Sequence, residues 1–146
     1  MKKTIKAGYA YPGLWKGKGT SIFPPWWDNG KHDEEKKSMN PKEIILSPNT
    51  EYTLKIDYPL NNPFVNKFKT GKKGMTRQEF VDMACEAYQY IYKIEDGDEV
   101  PGHIPGMYNR VTTDGEFGIW GHDIGDLTIC TLYIDEDNLI TLGVDS

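Results

Sequence analysis

A chain of 146 residues is long enough to bury one core without disulfides or metal, and its 38% hydrophobic and 27% charged content fits a folded soluble domain. No run approaches the roughly 18 apolar residues of a membrane span, and MKKTIKAGYAYPG carries lysines but no apolar core for a signal peptide, so a cytoplasmic protein is expected, with no membrane partner. The net charge of −5 is uneven: residues 1–32 hold six lysines against Asp28, while residues 95–146 hold twelve acidic residues against Arg110 alone, a field that repels phosphate backbones and attracts basic surfaces.

Residues 1–32 interleave glycine and lysine with Tyr9, Tyr11, Trp15, Phe23, Trp26 and Trp27, and Pro12, Pro24 and Pro25 interrupt any period of two or 3.6. The sequence therefore predicts an irregular aromatic arm over residues 1–42, with at most short strands near its start, packed on an α+β core over residues 43–146 in one continuous domain. KGKGTS at residues 16–21 lacks the spacing of a phosphate loop, and the two prolines after it forbid the helix such a loop needs. Lysines among Trp15, Trp26 and Trp27 suit stacking of single-stranded bases. Against this, tryptophans beside prolines commonly plug the edge of a core, and the acidic C-terminal third opposes a polyanion. HDEEKK at residues 32–37 reads as an exposed turn or a single helical turn, broken by Asn40-Pro41.

Residues 43–46 form a short apolar strand. Tyr52, Leu54, Ile56 and Tyr58 alternate with polar residues in the period of a half-buried strand, which as an edge would offer pairing in a homodimer. Residues 61–74 read as a turn-rich, lysine-bearing connection. Residues 76–95 are the clearest element, a long amphipathic helix opened by a Thr76/Glu79 capping box. Phe80, Ala84, Ala87, Tyr88, Ile91 and Ile94 make its apolar stripe, with Gln78, Asp82, Glu86, Gln89 and Lys93 opposite. Asp96-Gly97 is its expected stop. Two hairpins follow, residues 107–113 with 116–120 around Asp114-Gly115, and residues 127–134 with 139–144, the strand over 127–134 being central. The expected fold is an antiparallel sheet packed against one helix.

Chemistry-bearing residues are sparse. His103, His122, Asp123 and Asp126 are the cluster with acid/base or ligand character, although turn-forming aspartates and a hydrogen-bonded histidine are the default reading of them. Their spacing matches no zinc signature, and neither a metal nor a cofactor is implied. Arg110 with Tyr108 and Trp120 would anchor an anion, or Arg110 is a structural ion pair. Cys85, mid-helix, and Cys130 read as buried thiols. Glu95, Asp96, Asp98, Glu99, Asp135, Glu136 and Asp137 fall in two loops that would join as an anionic patch. The expected function is a non-enzymatic accessory or inhibitory module binding a basic protein partner. The alternatives are a small-ligand binder or enzyme around His122, Asp123 and Arg110, or single-strand binding by the arm.

Overall fold

A computed structural model of the chain describes residues 2–98 and 112–146. It is a small single-domain α+β fold with a mixed sheet and one long helix. The strands are β1 (Lys3–Ala10), β2 (Ile44–Leu46), β3 (Glu51–Ile56), β4 (Phe64–Lys69), β5 (Met75–Thr76), β6 (Thr128–Ile134) and β7 (Leu139–Asp145). The helices are the short α1 (Asp33–Lys37) and the long α2 (Arg77–Ile94), with single 3-10 turns at Pro12–Leu14, Pro25–Trp27 and Ile124–Asp126. No helix among the described residues is long and apolar enough to cross a membrane.

The main sheet has the order β1-β6-β7-β3-β4, and β2 pairs with β5 as a separate ribbon. The expectation of a wholly antiparallel sheet is corrected at its centre, where β3 and β7 run parallel, with Thr53 opposite Leu139 and Leu54 opposite Ile140. The C-terminal hairpin does not extend the sheet at an edge. It inserts between β1 and β3, so its last strand must take the direction of β3. The segment 52–58 is consequently interior, and the strands at the two edges are β1 and β4.

Two further strands replace expected irregular chain. β1 is an eight-residue strand paired to β6, with a register break between Lys6 and Ala10 that hides its alternation. Gly8 lies in that break at φ +128°, and a β-carbon there would meet the Ile22 carbonyl at 2.8 Å; Tyr9 N–H donates to that same oxygen. β4 occupies the connection read as turns and covers β3, Phe64, Asn66 and Phe68 being half-buried while Val65, Lys67 and Lys69 are exposed. The expected hairpin around Asp114-Gly115 is not a strand pair among the described residues. Thr113 N–H donates to Ile119 O at 2.7 Å, Ile119 bridges Leu60, and residues 107–111 lie outside the described residues.

The long helix follows its sequence closely. Thr76 Oγ accepts from Glu79 N–H at 3.1 Å and Glu79 Oε1 from Thr76 N–H at 2.9 Å, a complete capping box whose threonine contributes about 1 kcal/mol. Phe80, Ala84, Ala87, Tyr88 and Ile91 are buried in one core with Leu54, Ile56, Leu127, Ile129, Leu132 and Ile140. The opposite side is also covered. Asp82 accepts from Trp15 Nε1 at 2.8 Å, Gly19 N–H at 3.0 Å and Gln78 Nε2 at 3.1 Å, Gln78 also donates to Thr20 O, and Gln89 donates to Pro12 O and Trp15 O. Three of the five polar-side residues of α2, Gln78, Asp82 and Gln89, therefore hold chain segment 12–20 by hydrogen bonds, and Asp82 is buried despite its charge. Arg77, also buried, ties β1 and the chain before β2 to the helix start through Lys6 O, Asn40 O and Glu43 Oε1.

Candidate functional site

Because β3 and β7 are parallel, their C-terminal ends emerge on the same side of the molecule. There Tyr58 Oη lies 2.7 Å from Ser146 Oγ and 3.0 Å from His122 Nε2. The Trp120 ring stands edge-on to both, at 5.6 Å from Tyr58 and 5.5 Å from His122, and the Tyr58 and His122 rings are 5.2 Å apart. These spacings are those of direct ring contact, so the three rings form a filled cluster. The backbone is strapped together beneath them, with Trp120 N–H on Pro59 O at 3.0 Å, after a cis Tyr58-Pro59 bond. From α2, Tyr88 Oη donates to Tyr58 O at 2.8 Å and Tyr92 Oη to His122 O at 2.7 Å. Two phenols of the helix thus fix the backbone on which the cluster is built.

The field here is anionic. Burial pushes the Tyr92 phenol well above its ordinary value, and the nearby Asp123 and Asp126 carboxylates push it further. Burial does the same to Tyr88, with Tyr92 and then Asp57 adding to it. Asp57 directly precedes Tyr58 and Asp96 follows the C-terminus of α2, whereas Asp145, next to Ser146, turns its carboxylate to Cys130 Sγ at 3.6 Å. Asp98 accepts from Asp114 N–H through its backbone carbonyl at 3.2 Å. Trp120 keeps 44% of its surface exposed, so one large ring at this end faces solvent.

The acidic patch expected from two joined loops is not assembled in that form. Asp135, Glu136 and Asp137 sit in the β6-β7 turn, at the other end of β7, and a seven-residue strand spans about 20 Å. Asp137 lines a groove there together with Lys67 and Lys69. Glu95 is corrected as a surface residue: it is 1% exposed, its Oε1 accepting from Thr113 Oγ1 at 2.8 Å and Gly118 N–H at 2.6 Å. Asp96 and Asp98 are exposed at the Tyr58 end. Glu99, His103, Tyr108 and Arg110 lie outside the described residues. His122 and Asp123 are half-buried in a turn after Gly121, and Asp126 follows in the adjacent 3-10 turn.

The three tryptophans of the arm are set apart from one another in their roles. Trp15 is bonded to Asp82 and packs on the core. Trp27 is buried, stacked with His32 at 4.0 Å and with Phe23 and Tyr9, while Trp26 is exposed, edge-on to Tyr11. The described residues contain no group of three or more His, Cys, Asp or Glu side chains placed to hold a metal ion. Cys85 and Cys130 are free thiols, pushed by burial up to about 12 and about 11, with Asp82 and Asp145 respectively adding to the rise.

Sequence reasoning missed Tyr58, Tyr92, Asp57 and Ser146. Tyr58 ended a predicted strand, and Tyr92 follows a core isoleucine off the apolar stripe; the contacts that give them a role span 64, 30 and 88 residues, beyond the reach of any local period. Compared with protein-family models, with curated proteins and with solved structures, the chain matches none of them.

Proposed function

We propose that this chain is a non-enzymatic interaction module that takes a basic segment of a protein partner on the acidic, aromatic end of its sheet. One observation carries this: Asp57, Asp123 and Asp126 lie near the Tyr88 and Tyr92 phenols that hold the end bearing the half-exposed Trp120 ring. A lysine or arginine side chain is the group that such a surface suits, because its stem packs on the indole, its charge is attracted by the ring face, and the carboxylates flank it. The binding is salt-sensitive, since the charges are exposed. A lysine- and arginine-rich peptide titrated into the full chain should bind at low salt and weaken at high salt, with Trp120→Ala lowering affinity about tenfold, as for an aromatic anchor at an interface. Equal binding by the Trp120→Ala protein would remove this role.

A second proposal rests on the Tyr58-His122 hydrogen bond, which Ser146 Oγ extends at the surface. The rings fill the cluster itself, so a small polar ligand would sit against its Ser146 side, where the phenol and the imidazole offer hydrogen-bonding atoms. Native mass spectrometry of the purified protein should then show a retained small molecule that is lost in His122→Ala. Retention equal in both proteins would count against it.

A further inference from the structure

We propose a divalent-cation site, of calcium type, between Glu95 and Asp98 beside Gly115. Glu95 is buried, and while Oε1 takes two donors, Oε2 is buried and has no hydrogen-bond partner among the described residues. An orphaned carboxylate oxygen in a protein interior costs free energy unless a further group completes it. The position of Gly115 shows where that oxygen is aimed. A β-carbon there would overlap both Glu95 Oε2 and Asp98 Oδ2, so the two acidic oxygens converge against the Gly115 backbone, an approach that only the missing side chain of glycine allows. They lie within about 5 Å of each other, where like charges repel and a cation between them is favoured.

The surrounding geometry holds the pair in place. Thr113 Oγ1 donates to Glu95 Oε1 and accepts from Ile119 N–H at 2.9 Å, while Gly118 N–H fixes the same carboxylate from the other side. Asp98 is tied through its backbone carbonyl to Asp114 N–H. The donor set is oxygen only, and Asp98 is exposed. That suits a hard cation with a flexible shell completed by water, and two carboxylates place its dissociation constant on the order of 10⁻⁴ to 10⁻³ M. The site is independent of the proposed basic partner, although it lies at the same end of the molecule.

Thermal unfolding of the chelated full chain, titrated with calcium chloride at constant ionic strength and neutral pH, tests it. Saturable stabilisation is expected, weakened about tenfold or more in half-saturating concentration by Asp98→Asn, whose exposed side chain leaves folding intact. Asp137→Asn, at the opposite end, should titrate like the unaltered chain. Glu95→Gln, if it folds, should not respond. Two results overturn the proposal: no calcium response, or an identical response in Asp98→Asn.

Discussion

The two ends of the sheet use the same residue type in opposite ways. In the β6-β7 turn, Asp135 Oδ1 accepts from Asp137 N–H and from Leu139 N–H, both at 2.9 Å, so that carboxylate shapes its own turn, and lysines line a groove together with Asp137. At the Tyr58 end, the shaping is done by Tyr88, Tyr92 and Glu95, and Asp57, Asp96 and Asp126 are exposed, Asp96 lining a groove with Lys93. Charge count alone does not distinguish these ends. What distinguishes them is what holds the backbone: a carboxylate of the turn itself at one end, and two phenols of α2 with buried Glu95 at the other.

The largest effect that would break this contrast is loss of the support under the Tyr58 end. Tyr88 is fully buried and carries both core packing and the hydrogen bond to Tyr58 O, so Tyr88→Ala should cost about 3–5 kcal/mol in urea unfolding. Tyr88→Phe should lose only about 0.5–1.5 kcal/mol while freeing the Tyr58 backbone. A Phe variant as unstable as the Ala variant would mean that the hydroxyl, and not the ring, dominates.

Alkaline titration sharpens the same point for the helix. Cys85 is raised from 9.0 to about 12, so its folded thiol keeps a proton that the unfolded chain releases. Its contribution is complete below pH about 9 and is lost as pH rises towards 12, and buried Tyr88 and Tyr92 act in the same direction above their ordinary value. Stability should therefore fall between pH 9 and 12, less steeply in Cys85→Ala. An unchanged slope in that variant would place the loss on Cys130, raised to about 11, and on the tyrosines. The smallest effect belongs to the turn: Asp135→Ala should cost about 1 kcal/mol through two lost acceptor contacts and leave peptide binding unaltered.

Local chemistry made part of this legible. The capping box, the apolar stripe of α2 and the strands around residues 127–134 and 139–144 follow from spacings within a few residues. What escaped was set by distant partners. Asp82 looks like a solvated residue on a polar face until Trp15, 67 residues away, donates to it. Glu95 looks like the first residue of an acidic loop until Gly118 and Thr113 close over it. β4 was obscured by lysines, which are tolerated because its outward face is exposed at a sheet edge. Of the predicted site residues, Trp120, His122, Asp123 and Asp126 fall at one end as a group, while the parallel β3-β7 pairing that brings Tyr58 and Ser146 to them has no signature in either strand alone.

The most direct measurement compares two triple variants of the full chain binding one lysine- and arginine-rich peptide across a salt series. Asp57→Asn, Asp96→Asn and Asp126→Asn remove exposed charge at the Tyr58 end; Asp135→Asn, Glu136→Gln and Asp137→Asn remove the same charge at the turn. Three rim charges at about 0.2–1 kcal/mol each predict roughly a tenfold loss of affinity and a shallower salt slope for the first protein alone. Equal losses in both would mean that the peptide responds only to net charge, contradicting a docking surface at the aromatic end.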